Sequence, residues 1–396
     1  MRTGSFSTSP HLMADDVQKE YLTLHEIVRA ARDKLGDHAW HYIVGGTETE
    51  SAVRRNRWAI DRLALRPRVL RDVSDLDPSI EWFDRTLRIP VMFAPVGGLE
   101  HFWETGPIPV TQAAGEFGIP HMLSSVCACD FAEVARSSPQ ALKMFQLYVH
   151  GDAAWVDEIL DRVTELGFTQ LCLTVDSAVY SRRERDLAQR NIRRANVPGR
   201  EWQGRLSWKD IERIRSRTRL PLMLKGVASA ADAELAVEHG VDVVYVSNHG
   251  GRQLDHGQGC IEMLTDVVDA VGKRARIIVD GGFCRGTDVV KALCVGADLV
   301  AIGRMQCVAL AAGGKPLLLR LLELLEIEIR TAMALCGVTR VSQLDRSYLS
   351  VSESMLPTHV WGAFPMLDEA LASPPCVDLE STGTARPESA ALKPAR

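Results

Sequence analysis

The sequence predicts an α/β protein built as a single (β/α)8 TIM barrel with an N-terminal helical extension. Three observations carry that expectation. Eight short apolar runs start at residues 91, 120, 144, 171, 221, 243, 276 and 299, and continuous apolar runs of this length suit strands buried on both faces of a parallel sheet. Helix-patterned segments separate the runs and stop at glycine, among them TQAAGEFG, WVDEILDRVTELG, ADAELAVEHG and TDVVKALCVG; glycine commonly ends a helix by turning into the left-handed region. No GxGxxG follows the first run, so an open doubly wound sheet lacks its signature, and eight units close into a barrel.

The elements follow in order. Residues 1–14 and 372–396 are poor in large apolar residues and read as disordered ends. Between them, 15–371 form the folded unit. Residues 20–60 read as helices, and RPRVLRDVSDLDP leads from them towards the barrel. The strands are VMFAPV, PHMLSS, MFQLYV, LCLTVD, PLMLKG, VVYVSN, RIIVDGG and LVAIGR. The fourth and fifth start 50 residues apart, the widest interval. The excess places an extra segment, about 184–207, on the face where barrel active sites open.

Composition narrows the function classes. The chain has 396 residues, 46% of them hydrophobic, and a formal charge of −5. No basic stripe points to nucleic acid, and no polybasic patch points to a membrane surface. No run of about 18 apolar residues exists to span a bilayer, and the N-terminus lacks the apolar core of a secretory signal. Nine cysteines, odd in number and without a CxxC pair, fit small buried hydrophobes in a reducing, cytoplasmic setting. Lysine is scarce, 9 against 37 arginines, so a lysine at a strand end stands out.

The carboxyl ends of the runs gather Ser124, Gln146, Tyr148, Thr174, Asp176, Lys225, Ser247, His249, Asp280 and Arg304. Polar caps on one or two loops are ordinary; a set contributed by seven of the eight runs is a site. At these ends SNHGGRQLD (247–255), TVDSAVYSRRERD (174–186), LKGV (224–227), FQLY (145–148) and DGG (280–282), with YIVGG (42–46) and RPRVL (66–70) ahead of them, resemble the FMN-dependent α-hydroxy acid oxidase/dehydrogenase family. That family includes glycolate oxidase, lactate oxidase and mandelate dehydrogenase. The similarity runs in consistent order from about residue 20 to 350; SNHGGRQLD is its most specific part.

The resemblance implies FMN as cofactor and oxidation of an (S)-2-hydroxy acid to the 2-oxo acid, with a histidine base and hydride transfer to flavin N5. His249 would be the base; a lone histidine is ordinarily structural, but Gly-Gly-Arg after it at a strand end favours catalysis. Asp176 would stabilise the imidazolium. Arg183 and Arg252 match the carboxylate-binding pair, as planar bidentate cations should, while Arg182 reads as a surface charge. Tyr42 and Tyr148 match phenols that bond the substrate. On the cofactor side, Lys225 would face flavin N1/C2=O. Pro95, Val96, Gly97, Ser124, Gln146, Thr174, Ser247 and Asp280 would surround the ring or ribityl chain. Gly281, Gly282, Gly303, Arg304 and Arg285 would meet the phosphate. Family analogy also implies a homotetramer, and the absence of a cytochrome domain favours O2 as electron acceptor.

Three departures qualify the match. Cys284 stands where the family has a phosphate-contacting arginine, with Arg285 one place later. Val96-Gly97 and Val126 remove bulk near the ring, which points to a larger or aromatic substrate. The segment after the fourth strand is shorter than in glycolate oxidase, which implies a more open site. Two other readings stay open at this point: an isomerase-type FMN barrel, and a cofactor-free barrel that only binds.

Overall fold

The computed structural model describes residues 14–190, 199–356 and 358–367. Eight parallel strands close into a barrel: β1 (Val91–Phe93), β2 (His121–Ser124), β3 (Lys143–Leu147), β4 (Gln170–Thr174), β5 (Leu222–Val227), β6 (Val243–Val246), β7 (Arg276–Val279) and β8 (Leu299–Ile302). Each pairs with the next in sequence, and β8 returns to β1 through Val300 beside Val91. All eight coincide with the expected runs.

Successive side chains on a strand point to opposite faces. Met92, Met122, Met144, Cys172, Met223, Tyr245, Ile278 and Leu299 point inward and form an inner core. Their neighbours Phe93, Phe145, Leu173, Val244 and Val300 point outward into the larger core against the helices. One step further along each strand, the same inward register selects Ser124, Gln146, Thr174, Lys225, Ser247 and Asp280. The polar set at the strand ends is therefore the top layer of the barrel interior. Below, a two-stranded hairpin (Ile80–Trp82 with Arg85–Leu87) closes the amino end. Its Trp82 is fully buried, and the indole Nε1 donates to Gln170 Oε1 at 3.1 Å.

The extension ahead of the barrel consists of helices Ala14–Glu20, Leu24–Lys34, Asp37–Val44 and Ser51–Asp61, matching the helical reading of 20–60. The expected glycine stops hold: Gly118, Gly167, Gly240 and Gly296 all take positive φ. After β8 a long helix, Arg304–Cys336, bends at Gly313–Gly314. Residues 358–367 then fold back on the N-terminal helices. Trp361 stacks on Trp40 at 5.6 Å, and the buried Phe364 meets His25 edge-on. Apart from Ala14, the ends expected to be disordered lie outside the described residues. The extra segment after β4 carries two short helices, Glu184–Ala188 and Arg200–Gln203. No helix among the described residues is long and apolar enough to cross a membrane.

Candidate active site

A cavity of about 460 Å³ opens at the carboxyl ends of the strands. The loop after β6 shapes one wall. His249, Gly250 and Gly251 take φ of 59°, 64° and 76° in succession, a left-handed run that β-branched or bulky residues resist. Gly251 is also needed for space, since a Cβ there would lie 2.6 Å from the Val53 backbone nitrogen. Two clamps hold the loop to helix Ser51–Asp61. The Asn248 and Asn56 amides bond each other at 2.9 Å, and the Asp255 carboxylate accepts from Thr49 N, Thr49 Oγ1 and Ala52 N.

So held, His249 places Nδ1 2.9 Å from Asp176 Oδ1 and Nε2 3.3 Å from the Tyr148 hydroxyl. With Nδ1–H donated to the carboxylate, Nε2 is the acceptor that faces the cavity. Burial holds the His249 pKa below its ordinary value, with Lys225 and Arg183 adding to the shift and Asp176 opposing it. Burial alone would push Asp176 up, yet His249 and then Lys225 keep it below the usual carboxylate range. The Tyr148 phenol is pushed up to about 12 by burial, so it is a hydrogen-bond donor at neutral pH.

The cations come next. Arg252 Nη1 donates to the Tyr42 and Gly45 carbonyls at 2.7 and 2.9 Å. Its Nη2 is buried without a hydrogen-bond partner, with Asp186 Oδ2 at 3.9 Å. Burial, with Arg183 nearby, brings the Arg252 pKa down to about 10, which marks a cation ready to receive an anion. Arg183 is itself buried, its Nε 3.3 Å from the Arg252 carbonyl. Arg304 donates to the Ile43 and Gly45 carbonyls, both at 2.9 Å. Two guanidiniums thus cap the carboxyl end of helix Asp37–Val44, where partial negative charge collects. That helix also delivers Tyr42, whose hydroxyl lies 3.4 Å from the Gly97 carbonyl.

On the barrel floor, Lys225 Nζ donates to Ser247 Oγ at 2.8 Å and lies 3.2 Å from Asp280 Oδ2, while Ser247 Oγ donates to Asp280 Oδ1. Burial opposes the lysine charge, but Asp280 and Asp176 outweigh it and raise the Lys225 pKa; the ammonium is permanent at neutral pH. Ser124 Oγ donates to Gln146 Oε1, leaving Gln146 Nε2 and Thr174 Oγ1 buried without partners. Orphaned buried polar groups of this kind cost stability unless a ligand meets them. Set beside a fixed cation under a broad cavity, they fit the polar edge of a flat heterocycle, and the donor set suits FMN.

Pro95, Val96, Gly97, Gly281, Gly282, Gly303 and Arg304 line the cavity, as do Tyr42, Tyr148, Arg183, Lys225, His249, Arg252 and Asp280. Arg285 is a correction. Its guanidinium pairs with Glu328 at 2.6 Å and lies over Phe364, because residue 285 precedes helix Gly286–Val295 and points back at the long C-terminal helix. It does not line the cavity. Cys284 does line it, buried, its thiol pushed up to about 12 by burial. Arg182 is exposed beside Glu184, as expected. Sequence reasoning missed Asn56, Glu100, His150, Tyr180, Arg200 and Gln253, all in the wall. Nothing in a single sequence separates Arg200 from the other arginines, whereas Tyr180 and Gln253 sit inside motifs already noted.

A barrel mouth of this kind defines an oxidoreductase that holds a flat cofactor against a buried base. Comparison with known proteins sharpens the class. Residues 31–351 match the family model described as FMN-dependent dehydrogenase. A peroxisomal (S)-2-hydroxy-acid oxidase of Oryza sativa is 37% identical over 359 residues, covering 85% of this chain and 97% of the relative. An L-lactate oxidase of Nostoc is 34% identical, covering 83% and 98%. Among solved structures, mandelate oxidase superposes with a TM-score of 0.78 at 34% identity, covering 85% of this chain and all of that one. The chain belongs to the FMN-dependent dehydrogenase family, and FMN is its cofactor.

Proposed function

We propose that the protein oxidises an (S)-2-hydroxy acid to the 2-oxo acid. The observation that carries this reading is the His249–Asp176 pair set beside the buried, unpartnered Nη2 of Arg252: a base and a carboxylate receptor on one wall. Arg252 and Arg183 bind the substrate carboxylate, and Tyr42 helps to orient it. His249 Nε2 takes the C2 hydroxyl proton, while Asp176 stabilises the imidazolium that results. Tyr148 hydrogen-bonds the reacting oxygen. Bound FMN supplies the two-electron acceptor. Its ring edge would rest on Gln146, Thr174, Ser124 and Lys225, with Ser247 and Asp280 fixing the lysine and Pro95, Val96 and Gly97 behind the ring. Its phosphate would meet Gly281, Gly282, Gly303 and Arg304.

The missing bulk at Gly97 and Val126 supports a substrate larger than glycolate. The relatives named as oxidases support dioxygen as electron acceptor. A homotetramer is proposed by the same family analogy, as is action in the cytoplasm, given that the described cysteines are free thiols.

Anaerobic mixing of the purified holoenzyme with a panel of 2-hydroxy acids tests the reaction, followed by admission of air. The flavin absorbance should bleach with one or more acids and return in air. His249→Gln should retain FMN yet lose about 10²–10⁴-fold in the rate of bleaching. Bleaching by that variant at the wild-type rate would remove His249 as the base.

A further inference from the structure

Resting on the reading just given, we propose that Tyr180 is a positioning residue for the substrate carboxylate. The face of its ring supports the Arg183 guanidinium in place of an anionic partner, and so keeps that cation's terminal nitrogens open to substrate.

Arg183 is a buried cation without a buried counter-charge. It is 8% exposed, yet it forms no ion pair among the described residues. Its Nε donates to Ser181 Oγ at 3.2 Å and to the Arg252 carbonyl at 3.3 Å, while Nη1 and Nη2 donate to no described residue. A cation taken out of water needs compensation. Tyr180 supplies it, with the centre of its ring 4.8 Å from the Arg183 guanidinium carbon. That lies inside the range of about 6 Å over which the negative face of an aromatic ring attracts a cation.

Arg252 shows the same arrangement. Its guanidinium carbon lies 4.6 Å from the centre of the Tyr42 ring, its Nη1 is spent on two carbonyls, and its contact with Asp186 is loose at 3.9 Å. Both cations proposed to receive the carboxylate therefore rest on aromatic faces. An acidic partner in close contact would neutralise the guanidinium and compete with substrate for its planar fork. A ring stabilises the charge and takes up no N–H.

The Tyr180 ring is itself held. It is half-buried in the cavity wall, three residues ahead of the arginine that it supports. The Arg200 guanidinium carbon lies 4.5 Å from the same ring centre, and Arg200 belongs to an anchored element. The short helix Arg200–Gln203 rests on the ends of β3 and β4 through the buried Gln203, whose Nε2 donates to the Thr174 carbonyl at 2.6 Å and whose Oε1 accepts from Val149 N at 2.8 Å. Gly199 takes φ of +77° and packs so closely on the His150 carbonyl that a Cβ would collide with it. The segment after β4 thus contributes the arginine, the ring beneath it and the helix that fixes the ring.

The test reads carboxylate binding directly, by titrating pentanoate into the holoenzyme and following the flavin spectrum. Tyr180→Leu should weaken pentanoate about ten-fold, the scale of a desolvated contact between a cation and a ring, whereas Tyr180→Phe keeps the face and should bind within about two-fold of the wild type. In an Arg183→Gln background, Tyr180→Leu should cost less than about two-fold, because a residue that acts through another has no effect once its partner is gone. Replacement of Tyr180 by a trifluorinated phenylalanine, a ring of similar shape with its face stripped of electron density, should weaken pentanoate as Tyr180→Leu does; it decides the matter if the leucine variant fails to fold. In turnover of the hydroxy acid that bleaches the flavin fastest, Tyr180→Leu should raise KM about ten-fold and leave kcat nearly unchanged, since the carboxylate carries the same charge in substrate and transition state. Equal losses in Tyr180→Phe and Tyr180→Leu, an undiminished loss in the Arg183→Gln background, or no loss at all overturns the proposal. Failure of every acid to bleach the flavin would instead defeat the proposed reaction, with the pentanoate titration still deciding Tyr180.

Discussion

His249 faces the cavity in an environment that favours its neutral form. Burial, Lys225 and Arg183 depress its pKa, and Asp176 pulls the other way. The base form is therefore favoured at neutral pH. The rising limb of kcat/KM against pH should fall below the ordinary histidine value of about 6.5. Asp176→Asn removes a carboxylate that raises the His249 pKa, so the rising limb should move to still lower pH while the maximum drops by about 10²-fold or more. A drop without that shift would show that Asp176 acts on something other than the imidazole. Cys284 poses the complementary question at the phosphate end. Its buried thiol lines the cavity without charge, and Arg285 beside it is committed to Glu328. Cys284→Arg should tighten FMN by about ten-fold in a fluorescence titration of the apoprotein. A marked loss of affinity would place the phosphate elsewhere.

At the scale of elements, the His249 loop after β6 depends on a helix about two hundred residues earlier in the chain. Asp255 ties the two together by accepting hydrogen bonds from Ala52 N in the first turn of helix Ser51–Asp61 and from Thr49 N and Oγ1 just ahead of it. Burial alone would raise its pKa, but these hydrogen bonds keep it below the usual carboxylate value. A depressed folded-state pKa means that the stabilisation is present above the unfolded carboxylate value and fades as acid protonates the group. Asp255→Asn should thus cost about 1–3 kcal/mol at neutral pH in denaturant titration, with the difference narrowing in acid. The barrel strands were legible in the sequence because parallel strands are buried on both faces and read as unbroken apolar runs. The pairs Ile80–Trp82 with Arg85–Leu87 and Leu63–Leu65 with Leu349–Val351 were not read as strands. At three residues each they carry too little periodicity to register. The site was legible where a residue sat in the inward register of a strand, from Ser124 to Asp280. It failed at Arg285, where only the rotation of a helix start decides which way the side chain points. It was silent on Arg200, which reaches the cavity through the Gly199 and Gln203 anchors.

For the whole molecule, the two ends of the barrel divide the work. The carboxyl end holds charges and orphaned polar groups at some expense in stability, while the amino end is sealed by apolar packing on Trp82. Trp82→Ala should cost about 3–5 kcal/mol in denaturant titration and leave flavin bleaching near the wild-type rate, since the inner methionine core separates plug from site. Equal losses in both would show that the floor transmits strain upward. The stacked Trp40–Trp361 pair, with its rings 29° from parallel, offers an optical handle on the same molecule. Two indoles with centroids 5.6 Å apart couple their electronic transitions, so the folded chain should show an exciton couplet in circular dichroism. Because Trp361 belongs to the returning segment and Trp40 to the helix that presents Tyr42, loss of that couplet would report separation of residues 358–367 from the helix next to the site.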